Sequence, residues 1–300
     1  MKIVYLGSPA DSVPPLRALV DAGHEVALVV TRPDARRGRG TAASGSPVKV
    51  AALELGLPVV TPARSSDAIA DLEASGATLG VVVAYGQILR PAFLAALPDG
   101  FVNLHFSLLP RWRGAAPVER AILAGDAETG VCLMDVEAGL DTGGVYASVR
   151  VPIGDDETAG ELHARLVAAG TQLLVDHLDS VPGRAPEPQA GETTYAEKLS
   201  VDEFALDPAR PAAELARLVR AGNPRPGAWC MVAGRRLKVW RAHSANAGDQ
   251  AVGTLTKSGA LATADGVLVL DDVQPEGKRA MTGAAFVAGV ARDARRLDSR

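Results

Sequence analysis

The segment 79–110 reads LGVVVAYGQILRPAFLAALPDGFVNLHFSLLP and carries the pattern that decides the fold. Residues 79–85 form a continuous apolar run, which is typical of a parallel strand covered on both faces. A short helix is predicted at 91–97 and a second strand at 101–106. This stretch therefore has the order strand, helix, strand that builds parallel sheets.

The residues before this segment alternate in the same way. Strands are predicted at 2–6, 25–31 and 59–60, and helices at 14–22, 47–55 and 67–75. The alternation predicts a doubly wound, mainly parallel, Rossmann-like α/β sheet. The segment 115–124 follows as a helix, and 129–136 and 145–151 as strands.

A long helix is predicted after these strands. Thr158 and Glu161 have the spacing of a capping box at its start. An apolar stripe at helical spacing follows, and we interpret it as core. The stripe consists of Leu162, Leu166, Leu173, Leu174, Leu178 and Val181.

The composition then changes in a segment rich in proline and glycine that starts near residue 181 and is typical of a linker. A helix at 211–221 follows, and then short strands are predicted at 228–232, 236–241, 251–255, 261–264 and 267–273. Short strands at close spacing predict a small OB-like β-barrel. We therefore divide the chain into a catalytic domain 1–189, a linker 190–208 and a C-terminal OB-like domain 209–300.

The composition is that of a globular protein. The 300 residues are 47% hydrophobic and 22% charged, close to the average for soluble domains. The apolar runs are too short to span a bilayer, and the N-terminus lacks the pattern of a signal peptide, so we expect a cytoplasmic protein without membrane contact. Cys132 and Cys230 lie far apart, which indicates neither a zinc site nor a disulfide framework but two small core residues.

Charge is distributed unevenly along the chain. Residues 206–300 contain 15 Lys and Arg against 9 Asp and Glu, a balance of +6, and residues 1–205 contain 16 against 26, a balance of −10. An acidic first part and a basic second part are expected when one part carries out chemistry and the other meets a polyanion.

Arginines also cluster in one short segment. Arg32, Arg36, Arg37 and Arg39 fall within eight residues, with Gly38 and Gly40 among them. The nearby GRGTAA does not directly follow a strand, so we reject it as a dinucleotide fingerprint. From the residues alone, a solvated arginine-rich loop is favoured over a binding loop.

Asn103 and His105 are the candidate catalytic residues. Their spacing of two places both side chains on one face at the end of a predicted central strand, where α/β sheets form their sites. An amide can bind a developing oxyanion and an imidazole can hold a proton, which suits acyl transfer. Asp141, in the glycine-rich GLDTGG, is the best third member, while Asp135 and Glu137 remain alternatives.

Several motifs in order along the chain resemble those of the methionyl-tRNA formyltransferase family. They are RPDARRGRG, SPVKVAA, VVVAYGQIL, NLHFSLLPRWRGAAPVERAILAGDAETGV, GLDTGG, TYAEKLS, NPRPGAW, KVWRA and VQPEGKRAM. The Asn-x-His, SLLP and GLDTG motifs also mark the wider group that formylates ribonucleotides and sugar amines. The arginine loop and the C-terminal motifs favour the tRNA-directed family.

The resemblance implies the substrates 10-formyltetrahydrofolate, as co-substrate, and initiator methionyl-tRNA, with no metal. It implies that Asn103, His105 and Asp141 are catalytic and that Arg36, Arg37 and Arg39 contact tRNA. The residues that it places around the folate are Tyr85, Gly86, Gln87, Ile88, Leu89, Ser107, Leu108, Leu109 and Pro110. We expect a monomer.

This sequence departs from the family pattern at three places. Phe106 stands where the family often has glycine, Gly144 stands where it often has aspartate, and the first turn is GSPADSV. None of the three changes a member of the catalytic trio.

Two other functions were weighed against tRNA formylation. A formyltransferase for a small amine, such as a sugar nucleotide or ribonucleotide, uses the same trio but leaves the basic C-terminal part unexplained. A non-enzymatic RNA-binding module explains the charge balance but leaves the Asn-x-His pair unexplained.

Overall fold

The computed structural model describes residues 1–36, 43–246 and 249–298, which fall into two compact units. The first unit comprises Met1–Gly114, Thr129–Val151 and Ala164–Tyr195, and the second comprises Ala115–Glu128, Pro152–His163 and the chain from Ala196 onward. The second unit thus includes two segments that precede residue 164. No helix in the described ranges is long and apolar enough to cross a membrane.

Strands and helices alternate through the first half of the chain. The strands are β1 (Lys2–Gly7), β2 (Glu25–Val30), β3 (Ala35–Arg36), β4 (Ala43–Ser44), β5 (Val59–Val60), β6 (Leu79–Val83), β7 (Phe101–His105), β8 (Arg113–Gly114), β9 (Glu128–Asp135), β10 (Val145–Pro152), β11 (Tyr195–Ala196), β12 (Ala228–Val232), β13 (Arg235–Ala245), β14 (Ala260–Ala262) and β15 (Val267–Pro275). The α-helices are α1 (Val13–Asp21), α2 (Pro47–Glu54), α3 (Ile69–Ser75), α4 (Pro91–Leu94), α5 (Pro117–Ala124), α6 (Ala159–His177), α7 (Ala212–Gly222) and α8 (Gly283–Ala288).

The first unit is built on a seven-stranded sheet with the order β10-β9-β7-β6-β1-β2-β5. β1 pairs in parallel with β2 and with β6, β6 pairs in parallel with β7, and β2 with β5. β9 runs antiparallel to β7. The predicted mainly parallel, Rossmann-like sheet is confirmed, and β7 is its last parallel strand before the antiparallel one.

A glycine in β6 makes room for an aromatic ring on β7. Gly80 pairs with Phe101, and a Cβ atom on Gly80 would lie 2.0 Å from the Cδ1 atom of that ring. The Phe101 ring packs in turn against Phe93 of α4, with 5.3 Å between the ring centroids. Because this buried aromatic pair anchors the start of β7, the candidate catalytic residues of this strand lie on a rigid element.

Helix α6 begins with the predicted capping box. The amide of Thr158 donates to Glu161 Oε2 at 2.9 Å, and the amide of Glu161 donates to Thr158 Oγ1 at 3.3 Å. Hydrogen bonds from the Thr158 backbone and hydroxyl, together with Arg241, lower the pKa of Glu161 to about 2. The apolar stripe of α6 and its extension, Leu162, Leu166, Leu173, Leu174, Leu178 and Val181, is buried as expected.

The second unit contains a four-stranded antiparallel sheet with the order β12-β13-β15-β14. Isolated bridges from Val232 to Leu297 and from Thr254 to Arg296 extend it into a half-barrel, in agreement with the OB-like class. The predicted strand at 251–255 is wrong. Gly253 has a left-handed backbone, with φ of +87°, which interrupts the extended conformation that a strand requires.

Two buried tyrosines of the first unit differ in how their hydroxyl groups are satisfied. The Tyr5 hydroxyl donates to the Ser12 carbonyl at 2.6 Å. The Tyr85 hydroxyl is equally inaccessible, but it has no hydrogen-bond partner within the described residues. A buried polar group without a partner lowers the stability of the folded state.

We predict opposite effects of the Tyr→Phe substitution at these two positions. Tyr85→Phe should raise the free energy of unfolding by about 1 kcal/mol, because it removes a hydroxyl that was desolvated without compensation. Tyr5→Phe should lower it by about 1–2 kcal/mol, because it leaves the Ser12 carbonyl without its donor. Denaturant unfolding of both variants checks this, and a stability loss in Tyr85→Phe as large as that in Tyr5→Phe would contradict it.

Candidate active site

The two polar residues of the Asn-x-His pair lie at the carboxyl end of β7. His105 is buried, with 5% of its surface exposed, and Asn103 is partly exposed. Within the described ranges, no group forms a hydrogen bond with the Asn103 side-chain amide. The sheet therefore holds Asn103 with its amide available to another molecule, beside an imidazole that is shielded from water.

The backbone of Trp112 determines how the His105 ring is oriented. His105 Nε2 donates a hydrogen bond to the Trp112 carbonyl at 2.9 Å. This carbonyl is presented by a left-handed residue, since Trp112 has φ of +63°. The Trp112 amide donates to Thr194 Oγ1 at 2.9 Å, and the Arg111 guanidinium lies 4.5 Å from the Trp112 ring centroid.

Asp141 lies opposite the other imidazole nitrogen. Its Oδ2 is 3.7 Å from His105 Nδ1 and accepts a hydrogen bond from the Gly114 amide at 2.8 Å. The distance of 3.7 Å is too long for a hydrogen bond, but it leaves the carboxylate as the charged group beside Nδ1. The two ring nitrogens of His105 thus face a carbonyl on one side and a carboxylate on the other.

The structure brings Asp141, and not the two other carboxylates considered, to His105. Glu137 accepts a hydrogen bond from Thr142 Oγ1 at 3.1 Å. Burial and the nearby Glu137 raise the pKa of Asp135. Both residues flank the loop that carries Asp141.

Sequence reasoning missed a glutamine that holds this loop. Gln189 Nε2 donates to the carbonyls of Asp141 and Gly143, each at 2.8 Å. Its Oε1 accepts from Arg113 Nε at 3.1 Å and from Arg113 Nη2 at 2.6 Å. Gln189 lies 48 residues from Asp141 in a segment rich in proline, and no spacing in the sequence links the two.

The loop 85–89, which the resemblance places beside folate, presents one open apolar side chain. Ile88 is 84% exposed, whereas Tyr85 and Leu89 are buried. The Ile88 carbonyl accepts from Ser65 Oγ at 3.0 Å, and Gln87 Nε2 donates to the Pro62 carbonyl at 3.4 Å. Burial raises the pKa of Tyr85 to about 12, so its phenol is neutral.

The segment 107–110 forms a turn that a buried serine side chain stabilises. Ser107 is fully buried, and its hydroxyl donates to the Arg111 carbonyl at 2.6 Å. Leu108 and Leu109 are partly exposed, and Pro110 is buried. The two leucines are therefore the members of this segment with side-chain surface available to a ligand.

The predicted arginine cluster is only partly covered by the structure. Arg32 is exposed, and Arg36 pairs with Ala43 where β3 runs antiparallel to β4. Arg37 and Arg39 lie outside the described residues.

The comparisons with known proteins agree over both parts of the chain. The formyl transferase model matches residues 1–178, and the model of the formyl transferase C-terminal domain matches residues 198–291. A methionyl-tRNA formyltransferase from Dinoroseobacter shibae is 47% identical over 298 residues, which cover 98% of this chain and 99% of that protein. The chain belongs to the methionyl-tRNA formyltransferase family. It is an enzyme of the formyl transferase class.

Solved structures of more distant proteins share the fold. The N-formyltransferase from Helicobacter canadensis in complex with folinic acid and dTDP-3-aminofucose has a TM-score of 0.68 at 17% identity, over 89% of this chain and 97% of that one. HypX from Aquifex aeolicus in complex with tetrahydrofolic acid has a TM-score of 0.65 at 16% identity, over 96% of this chain and 47% of that one. At these identities the likeness concerns the fold alone.

The structure gives a packing reason for one departure from the family pattern. A Cβ atom on Gly144 would lie 2.9 Å from the Glu187 carbonyl oxygen and 2.9 Å from Pro186 Cβ. The segment 186–187 packs directly on this glycine, so a larger side chain at position 144 would displace it. The other departure near the trio in sequence, Phe106, is buried.

A groove of about 870 Å³ in the second unit is separate from these residues. Arg217, Arg220, Trp240 and Asp271 are among its lining residues. It contains no member of the Asn103, His105 and Asp141 trio, whose chemistry belongs to the first unit.

The hydrogen bond to the Trp112 carbonyl predicts which nitrogen of a neutral His105 carries the proton. When neutral, His105 should carry its proton on Nε2, because the Trp112 carbonyl can only accept a hydrogen bond. His243 is a matched control with the opposite arrangement, since its Nδ1 lies 2.8 Å from Asp271 Oδ2 and should be the protonated nitrogen. Long-range ¹⁵N–¹H correlation spectra of the two imidazoles check this, and an Nδ1-protonated neutral His105 would show that the assigned bond is absent.

Proposed function

We propose that this chain transfers the formyl group of 10-formyltetrahydrofolate to the α-amino group of initiator methionyl-tRNA, for translation initiation. The observation that carries the proposal is the arrangement at the end of β7 of a free amide, an imidazole hydrogen-bonded through Nε2 and a carboxylate 3.7 Å from its Nδ1. The high identity to a methionyl-tRNA formyltransferase over nearly the whole chain supports this choice of substrate.

The chemical demand of this reaction is stabilisation of a negative charge. A free α-amine titrates near ~8, so a useful fraction is already nucleophilic at neutral pH. Attack on the formyl carbon places negative charge on the formyl oxygen. The Asn103 amide and the Nδ1–H of protonated His105 are the donors that would bind this oxygen, since His105 Nε2 already donates to Trp112.

Asp141 has two roles in this mechanism. Its carboxylate is the negative charge that would face the Nδ1–H of His105 during the reaction. Oδ2 accepts from Gly114, whereas Oδ1 accepts no hydrogen bond within the described part of the chain. Oδ1 can therefore receive the proton that the attacking amine releases, through a water molecule. The same proton would pass to N10 of the folate when the bond between the formyl carbon and N10 breaks, which releases tetrahydrofolate and leaves Asp141 ionised as before.

In this proposal the folate co-substrate contacts apolar side chains of two segments, the loop 85–89 and the turn 107–110. Ile88 is exposed on the loop 85–89, and Leu108 and Leu109 are partly exposed on the turn after β7. Apolar side chains with a few fixed polar groups suit a flat heteroaromatic ligand. Tetrahydrofolic acid and folinic acid in the Aquifex and Helicobacter structures support a folate as the formyl donor.

The C-terminal part is proposed to bind tRNA. On one face of β12 and β13, the Arg236 guanidinium lies 4.2 Å from the Trp229 ring centroid, and Lys238 Nζ lies 4.5 Å from that of Trp240. We call these four residues the cation–aromatic row. Alternating cations and aromatic rings on a partly exposed sheet face suit phosphates and bases, and the +6 balance of residues 206–300 agrees with this role.

In this proposal the chain acts as a monomer, with residues 1–189 as the catalytic part, 190–208 as the linker and 209–300 as the tRNA-binding part. A formyltransferase for a small amine is the second candidate, since a protein of similar fold from Helicobacter was solved with an amino sugar nucleotide. Radiolabelled formyl transfer from the folate to methionyl-tRNA, compared with transfer to an amino sugar nucleotide, distinguishes the two.

We predict that Asn103→Ala lowers turnover by about two to three orders of magnitude, the range observed when an oxyanion donor is removed. Folding should be unaffected, because the Asn103 side chain makes no hydrogen bond within the described residues. Radiolabelled formyl transfer measures the effect, with Asn246→Ala at an exposed position as the control. An Asn103→Ala variant with wild-type turnover would remove this residue from the mechanism.

The arginine loop should contribute phosphate contacts to tRNA binding. Each phosphate contact adds about 0.9 to the slope of log affinity against log salt concentration for duplex nucleic acid. Replacing Arg36, Arg37 and Arg39 by Gln should flatten this slope by up to about three units and leave folate affinity unchanged.

The cations of the row provide the comparison in the same assay. Arg236→Gln combined with Lys238→Gln should flatten the slope by up to about two units. If the triple loop variant binds tRNA with the wild-type slope, the loop is a solvated surface and recognition belongs to the C-terminal part.

A further inference from the structure

We propose that Gln189 is a positioning residue that holds Asp141 in its catalytic geometry, and that Arg113 orients Gln189 for this task. The inference rests on the proposed role of Asp141 in formyl transfer. It concerns a side chain that neither the motif pattern nor the chemistry of the reaction identifies.

The surroundings of Gln189 match a glutamine and no other side chain of its size. On one side, the carbonyls of Asp141 and Gly143 can only accept, and both take a hydrogen from Nε2 at 2.8 Å. On the other side, the Arg113 guanidinium can only donate, and it gives two hydrogen bonds to Oε1. A glutamate at this position would place a carboxylate oxygen, which cannot donate, against the two carbonyl oxygens. A leucine would leave the two carbonyls and the two guanidinium N–H groups without a partner.

The loop with Asp141 requires such an external support. Asp141 has φ of +49°, a left-handed conformation that a residue with a side chain rarely adopts without constraint. Its neighbour Leu140 is 61% exposed, so no burial of that side chain anchors the loop. Gly143 lies against β9, since a Cβ atom there would be 2.1 Å from the Asp135 carbonyl oxygen. Hydrogen bonds to the loop backbone are therefore its main restraint near Asp141.

Two consecutive residues of β8 act on Asp141 by different routes. Gly114 donates from its backbone amide to Asp141 Oδ2 at 2.8 Å, which places the carboxylate. Arg113 acts through Gln189 on the Asp141 carbonyl, which places the backbone. Loss of Gln189 leaves the Gly114 contact but releases the left-handed backbone, so the carboxylate moves relative to His105 Nδ1.

The first test compares substitutions of Gln189 in the full-length protein. Gln189→Leu and Gln189→Glu should each lower kcat about tenfold to a hundredfold, the scale of an ångström-level displacement of a catalytic group. The KM for 10-formyltetrahydrofolate should change less than about twofold, because the hydrogen bonds of Gln189 join it to Arg113, Asp141 and Gly143 and not to the loop 85–89. Gln172→Leu, an exposed glutamine of α6, is the matched control and should behave as wild type. Wild-type kcat in both Gln189 variants would overturn the proposal.

A double-mutant cycle separates positioning from a general loss of structure. If Gln189 acts through Asp141, then Gln189→Leu should cause little further loss of kcat in the Asp141→Asn background. A merely structural role predicts the same fold-loss in both backgrounds, and that result would overturn the proposal. Thermal unfolding checks the fold of each variant. Gln189→Glu keeps the size of the side chain and its Arg113 partner, so it serves where Gln189→Leu does not fold.

The same cycle distinguishes failure of this inference from failure of the proposed function. If the wild-type protein formylates methionyl-tRNA and the Asp141→Asn variant is impaired, the proposed function stands. The Gln189 variants then test this inference alone. Wild-type turnover in Asp141→Asn removes the catalytic role of Asp141 and the inference with it. No formyl transfer to methionyl-tRNA by the wild-type protein overturns the proposed acceptor itself.

Discussion

The hydrogen bond from His105 Nε2 to the Trp112 carbonyl is the contact on which the candidate site depends. An acceptor at Nε2 leaves Nδ1 as the nitrogen that can serve chemistry, and this nitrogen faces Asp141. The carbonyl reaches Nε2 because Trp112 has a left-handed backbone. With an ordinary backbone at position 112, the peptide would point elsewhere and the imidazole would be free to rotate or to change tautomer.

Two left-handed residues thus lie within one site, and each is unfavourable in isolation. The backbone around Trp112 is held by Thr194, whose side chain accepts from the Trp112 amide and whose carbonyl accepts from Arg113. The backbone of Asp141 is held by Gln189. The chain between 189 and 194 therefore stabilises both strained positions, although it contributes no atom to the proposed reaction. Such support is needed where function demands a conformation that the local sequence does not favour.

The resulting arrangement suits stabilisation of a transition state more than base catalysis. In the proposed mechanism the Asn103 amide and the His105 Nδ1–H would be fixed donors on a rigid strand, and fixed donors in a shielded site bind a developing charge without reorganisation. The amine needs only modest help in losing its proton. The features suited to a polyanion, the cation–aromatic row and the positive balance of the last 95 residues, lie instead in the C-terminal part. This division agrees with the proposed pair of substrates.

Much of the fold and part of the site follow from local sequence patterns. The alternation of strands and helices, the capping box of Thr158 and Glu161, and the common face of Asn103 and His105 are properties of residues within a few positions of one another. These features can be predicted from the sequence because they depend only on local backbone geometry. The glycine-rich loop and the family resemblance already favoured Asp141 over Asp135 and Glu137, but only the structure shows which carboxylate lies near His105.

Other features were decided by tertiary structure alone. Gln189 lies 48 residues from Asp141, and Thr194 lies 82 residues from Trp112, so their hydrogen bonds form only when the fold brings these segments together. The predicted strand at 251–255 was wrong because a left-handed Gly253 outweighs the β-propensity of its neighbours. Sequence alone determined which groups are available for chemistry. The tertiary structure decided their orientation, because a hydrogen bond depends on the direction of both partners and sequence spacing carries no such direction over long separations.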